Sequence, residues 1–326
     1  MAEERLSPAE RGYNAVMPTP PKKHRHYESQ DAERRLTEQR LPASKNLDRM
    51  TSLQIVRLMN REDRKIAGAV QRELPAIARA IDAIVSGMRK GGRLIYVGAG
   101  SSGRMAVLDA AECPPTFGIP RGQMHALIAG GRRAVTGAVE GAEDSAENAK
   151  RELRKRNLTR SDVVVGIAAS GTTPYVLAAL QYAQERGAAT IAISSNRHVP
   201  LGKLAKIVIA PQVGPEVLTG STRMKSGTAQ KMVLNMLSTA SMARLGHVYE
   251  NLMIDAELTN EKLRERALRI LKAASGRSLS EAKHALRQAG HNMRVALVML
   301  KLGVEPRVAK GRLAQTKGNL RLALGE

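Results

Sequence analysis

The chain has 326 residues, with 52 Lys and Arg against 30 Asp and Glu for a net charge of +22, and a length that suggests about two domains. Hydrophobic residues make up 43% and aromatic residues only 2%, so a sizeable core must be built from Ala, Val, Ile, Leu and Met. This excludes a disordered chain and disfavours lectins and single-strand nucleic-acid readers that stack bases on rings. A lone Cys113 excludes a disulfide scaffold and a Cys-rich metal site, and fits a reducing compartment.

The basic excess is uneven. Residues 261–326 hold fifteen Lys and Arg against five Asp and Glu. Such a patch reads either as a polyanion site or as a solvated basic surface fitted to an anionic metabolite. No helix-turn-helix or RNA-binding signature accompanies it, so nucleic acid is not the expected partner. The longest uncharged stretch, residues 163–184, is interrupted by Ser170-Gly171-Thr172-Thr173-Pro174, and no membrane span is expected. Glu3 and Glu4, with no apolar run behind them, argue against a secretory signal. The expected location is the cytoplasm.

In chain order, residues 1–45 are rich in Pro, Arg and Glu without sustained periodicity and read as a flexible tail. Residues 46–260 read as an α/β domain. From Thr51, a candidate cap, apolar residues at spacings of three and four run from Leu53 to Ile84 and predict one helix ended by Gly91-Gly92. The period then changes. Continuously apolar strands are predicted at residues 93–97, 124–129, 162–168, 189–194 and 207–211, alternating with helices, the last spanning 225–245. That alternation predicts a doubly wound parallel sheet covered on both faces. Residues 261–326 read as a small, basic, all-helical domain, with patterns at 278–289, 291–301 and 305–315 broken by Gly290, Gly303 and Gly318.

Ligands of open parallel sheets sit beyond the carboxyl ends of the strands, and three Ser/Thr-rich loops fall there. The first, Gly98-Ala99-Gly100-Ser101-Ser102-Gly103, has the spacing of a dinucleotide fingerprint. The second strand ends in Ala129-Gly130-Gly131 without the acid that would hold a ribose. A phosphomonoester held by the Gly100, Ser101 and Ser102 backbone and hydroxyls is the better reading. The second loop offers Ser170, Gly171, Thr172 and Thr173; a helix cap is the structural alternative. The third runs from Thr219 to Gly227 and carries Ser221, Arg223 and Lys225, as phosphate counter-charges or an ordinary surface pair. Glu216, in a strand-end loop, is a further candidate for sugar hydroxyls or ring opening, and Glu140 a weaker one. The seven His lack metal-ligand spacing, so a reaction without metal or cofactor is expected. Cys113 precedes Pro and has no basic neighbour, a poor nucleophile.

Three such loops are laid out as in sugar isomerase-type (SIS) phosphosugar domains, a flavodoxin-like arrangement. The likeness extends through residues 98–104, 109–118, 128–131, 138–144, 163–171 with 173–176, 213–225 and 259–263, motifs that resemble the N-acetylmuramic acid 6-phosphate etherase family from about Leu36 to the end. The related glucokinase regulatory protein shares many of these loops and is not an enzyme.

The resemblance implies cleavage of a lactyl ether. The sugar opens to its aldehyde, the C2 proton is removed, D-lactate leaves from C3, and water adds back to give N-acetylglucosamine 6-phosphate. It assigns the acid to Glu112 and the second catalytic carboxylate to Glu143. Elimination needs one protonated and one ionised group. Cys113-Pro114-Pro115 is expected to end the helix at Glu112 and, with Phe117, to surround it with apolar groups that favour its acid form. Glu143 precedes a helix and would be favoured as an anion there; a helix-start acid without catalytic duty is the alternative. Ser102 and Glu112 lie roughly 15 Å apart along one helix, so Glu112 is expected to serve a neighbouring subunit in a homodimer with a shared site. The family commonly has Arg at the position of Thr172, and Arg197 is the candidate for supplying that charge instead. A sugar-phosphate sensor and a sugar-phosphate isomerase are the alternatives to an etherase. The basic C-terminal region would cover the site, bind a partner or cap the dimer.

Overall fold

The computed structural model describes residues 35–326; most of the expected N-terminal tail lies outside them. Residues 35–45, also assigned to that tail, are instead built into the molecule. Leu36 N donates to Asn196 Oδ1 at 2.8 Å, and Ser44 is buried in a short 3-10 turn that starts at Pro42.

Thr51 caps α1 (Ser52–Gln71) with a reciprocal box: its hydroxyl accepts from Gln54 N and its own N–H donates to the Gln54 side chain. The predicted single helix is two. Pro75, at the second position of α2 (Leu74–Arg89), cannot donate back along the helix. The chain breaks at Glu73, which is drawn to the end of the sheet and accepts from Ala210 N at 3.1 Å. The apolar phase runs on across the break, which hid it from the periodicity.

The sheet has five parallel strands: β1 (Leu94–Gly98), β2 (Met124–Ile128), β3 (Val163–Ile167), β4 (Ala189–Ile193) and β5 (Ile207–Ile209). Their order is β2-β1-β3-β4-β5, with Gly98 registered on Ile128 at one side and Ile167 at the other. Side chains alternate between two cores. Leu94, Tyr96, Val163 and Val165 pack with α1, α2, α3 (Gly100–Phe117) and α8 (Lys225–Arg244). Ile95, Val97, Val164 and Ala192 pack with α5 (Ala146–Lys155) and α6 (Pro174–Glu185). Two short helices, α4 (Arg133–Thr136) and α7 (Pro200–Lys203), sit between strands. This is the expected doubly wound sheet.

α3 does not stop at Glu112. It runs through Pro114 and Pro115 to Phe117 and ends at Gly118 (φ +60°), whose N–H reaches Pro114 O at 2.8 Å. The two prolines cost N–H groups in the last turns without breaking them. Glu112 is solvent-exposed in the single chain, not set among Pro114, Pro115 and Phe117.

The C-terminal region is helical: α9 (Glu261–Ser275), α10 (Leu279–Gln288), α11 (Met293–Leu302), α12 (Pro306–Gln315) and α13 (Leu320–Leu324). Asn260, Ser278, Asn292 and Asn319 cap four of them through their side chains; the caps at Ser278 and Asn292 set two starts inside the predicted patterns, while α9 and α13 lie outside those patterns. A third core gathers here, with Tyr249, Ile254, Leu271 and Leu297. Glu257 N donates to Pro115 O at 3.1 Å, and the Gly118 backbone presses on Asp255. Asp255 in turn is bound by Arg294, and His247 Nδ1 lies 2.8 Å from it. Among the described residues no helix is long and apolar enough to cross a membrane.

Candidate active site

β1 and β3 are neighbours, and the direction of winding reverses between them, so their two following loops open side by side at the place where such sheets take ligands. The first loop is shaped by packing. A Cβ on Gly98 would lie 2.7 Å from Gly103 N, and one on Gly103 would lie 2.6 Å from Ile128. These glycines let helix meet strand. Ala99 is extended, Gly100 turns with φ +50°, and no side chain caps α3. Its first N–H groups and positive end are therefore left for an anion.

The second loop turns at Gly171 (φ +75°), where a Cβ would lie 2.2 Å from Val199 Cγ2. Thr172 donates to Ser170 Oγ twice, from its N–H at 3.3 Å and its hydroxyl at 3.1 Å. α6 follows, and its cap residue Thr173 makes no side-chain cap bond. The helix-cap alternative thus does not apply to Ser101, Ser102 or Thr173; their hydroxyls are not spent on helix ends.

Between the loops lies a cleft of about 190 Å³. Gly100, Ser101, Ser102, Ser170 and Thr173 line it, and the third loop adds Gly220 and Thr222. Glu143 reaches the same cleft from a 3-10 turn (Ala142–Asp144) set up by Gly141 at φ +68°. Glu38 completes the wall. The arrangement offers a phosphate the donors of a helix start and five hydroxyls, and offers the remainder of the ligand two carboxylates.

Curated N-acetylmuramic acid 6-phosphate etherases of Yersinia pestis (strain Pestoides F) and Yersinia pseudotuberculosis serotype O:1b (strain IP 31758) are 53% identical over 289 residues. The match covers 89% of this chain and 98% of each relative. The chain belongs to the N-acetylmuramic acid 6-phosphate etherase family. Within it, residues 76–184 match the glucokinase regulatory protein N-terminal SIS domain and residues 144–240 the SIS domain. A solved phosphoheptose isomerase from Neisseria gonorrhoeae is 18% identical, covers 59% of this chain and 100% of its own, and superposes with a TM-score of 0.47.

The etherase-family residues expected from sequence do not all meet in the cleft. Glu112 lies ten residues along α3 from Ser102, roughly 15 Å at the helical rise. Gly171 is packed behind its loop, and Thr172 faces Arg35, whose Nη1 donates to its hydroxyl at 3.2 Å. Arg35, not Arg197, is therefore the cation at Thr172. Arg197 is paired with Glu73. Glu216 is fully buried and accepts from Lys225 N at 3.0 Å and Ser226 N at 2.9 Å, so it caps α8. Lys225, expected as a phosphate counter-charge, opens that helix at 1% exposure and donates to Glu62 Oε2 at 3.0 Å. Burial would raise the Glu62 carboxyl, but Lys65 and Lys225 outweigh it and hold it below its usual range. Ser221 is half-buried and Arg223 exposed on the third loop, outside the cleft lining.

Midway along α3, Asp109 accepts from Tyr96 and Ser238 hydroxyls at 3.0 Å each. Burial pushes its carboxyl up, and burial with Asp109 nearby pushes the Cys113 thiol up to about 12, which suits a core thiol and not a nucleophile. Among the described residues no group of three or more His, Cys, Asp or Glu could hold a metal ion.

Proposed function

We propose that the chain cleaves the lactyl ether of N-acetylmuramic acid 6-phosphate, taking up one water and releasing D-lactate and N-acetylglucosamine 6-phosphate. The observation that carries this reading is the cleft itself: a bare helix start with Ser101, Ser102, Ser170 and Thr173 at one ligand-sized space, and Glu143 on its wall. The phosphate takes the N–H groups and hydroxyls, which fixes the sugar. The ring opens to the aldehyde, whose carbonyl makes the C2 proton acidic. Glu143 takes that proton as the base. A second carboxyl gives a proton to the departing lactate oxygen at C3, and water adds across the C2–C3 double bond.

Glu112 is the second carboxyl in this reading, and it acts from another copy of the chain. Within one chain it is too far from the phosphate donors for a single sugar to span. A homodimer that brings a second α3 to the cleft supplies it. An apolar groove of about 790 Å³ between α2 and α8, lined by Leu74, Ile77, Ile81, Met232 and Met236, is the surface such a copy would cover. The basic helical region from residue 261 is a second structural domain in this reading, braced against the end of α3.

Purified protein is expected to release D-lactate from N-acetylmuramic acid 6-phosphate, with Glu143→Gln and Glu112→Gln each lowering the rate by about a hundredfold or more. Wild type without lactate release, yet stabilised by sugar phosphates, would turn the reading to a sugar-phosphate sensor, the alternative raised by the regulatory-protein match over residues 76–184.

A further inference from the structure

We infer that Glu38 binds the sugar moiety of the ligand, a role that rests on the phosphosugar reading above. Residues 35–38 form a turn, with Glu38 N donating to Arg35 O at 3.0 Å. Asn196, at 6% exposure, clips this turn to the second loop: its Oδ1 accepts from Leu36 N at 2.8 Å, and its Nδ2 donates to Thr37 Oγ1 at 3.3 Å and Ala169 O at 3.0 Å. The clip is itself held, because Asn196 N donates to Ser194 Oγ at 2.9 Å. The turn thus adds two charges at the site. Arg35 reaches the Thr172 hydroxyl, one hydrogen bond from Ser170 on the cleft wall, and Glu38 lines the cleft.

Electrostatics decides what each of them takes. A carboxylate beside a phosphate site repels the phosphate, so Glu38 is matched to donors. One Glu38 oxygen accepts from Thr37 Oγ1 at 2.9 Å; among the described residues its other oxygen has no donor and the carboxylate no cation. An acetamido sugar phosphate brings what is missing: hydroxyl groups and an amide N–H a few bonds from an anion that Ser101, Ser102 and Ser170 can hold. Glu38 therefore selects the amino-sugar part, while the hydroxyl loops hold the phosphate common to all such ligands.

Titration calorimetry on the full chain with two probes, N-acetylglucosamine 6-phosphate and inorganic phosphate, separates the two recognitions. Glu38→Ala is expected to weaken the sugar phosphate roughly tenfold or more, the effect of losing a hydrogen bond to a charged group. Inorganic phosphate should bind as in wild type or tighter, because a repulsive charge has gone. Glu38→Gln, which keeps the shape and loses the charge, should fall between. Unchanged sugar-phosphate affinity in Glu38→Ala overturns the inference. So does a parallel loss for both probes, which would make Glu38 a prop for the loop. Failure of wild type to bind either probe would instead overturn the phosphosugar site.

Discussion

At Gly171 a single hydrogen atom separates a working loop from a displaced one. Its φ of +75° is already unfavourable for other residues, and a methyl group would meet Val199 at 2.2 Å. Gly171→Ala is expected to lower stability by about 1–3 kcal/mol and to weaken N-acetylglucosamine 6-phosphate binding, since Ser170 and Thr173 flank the displaced backbone. Urea unfolding and calorimetry check the two parts. Residues of this kind were legible in the sequence, because each hydroxyl loop is one contiguous run between a strand and a helix. Arg35, Glu38 and Asn196 were not. They reach the site by contacts spanning 137 and 160 residues, with no local pattern to mark them. Glu216 and Lys225 stood in a loop with the right chemistry, but their charges meet partners within the fold: the α8 backbone in one case and Glu62, 163 residues away, in the other.

Among the elements, β1 and β3 carry the first two hydroxyl-rich loops, and their opposite ends are pinned by Asp162. This buried carboxylate accepts from Arg93 N at 2.8 Å, from the Arg93 guanidinium at 3.0 and 2.8 Å, and from Thr159 N at 2.8 Å. Burial alone would raise it, but those donors outweigh burial and hold the carboxyl below its usual range. A carboxyl held low adds stability above its unfolded value of about 3.9 and loses that stability as pH falls through the folded value. Asp162→Asn is expected to cost about 3 kcal/mol at pH 7, as an uncompensated buried partner does. Its stability should then fall less than that of wild type between about pH 4 and more acid conditions, which denaturant titrations across that range would show. The strands themselves were plain in the sequence to within a residue or two, as unbroken apolar runs. The break between α1 and α2 and the persistence of α3 through two prolines were not, since both depend on packing partners elsewhere.

For the whole molecule, the proposed sharing of sites between copies makes a statistical prediction. A Ser101→Ala, Ser102→Ala double variant and a Glu112→Ala variant are each inactive when pure in that reading. Randomly mixed dimers pool both defects in one site and leave the other intact, so about a quarter of sites should regain lactate release. No recovery on mixing would place both groups in one chain. The α/β region, with helices on both faces of its sheet, and the helical C-terminal region were legible from the change of period at Asn260. Their attachment was not, because it runs through single backbone contacts. That attachment bears on heat. Glu257 N holds Pro115 O, and Asp255, gripped by Arg294, backs Gly118, so the end of α3 bearing Glu112, seated in the sheet-side core through Cys113 and Phe117, takes part of its footing from the C-terminal helices. Warming that loosened those helices would slacken this end while the sheet and its loops still stood, and in the shared-site reading inactivation would run ahead of melting.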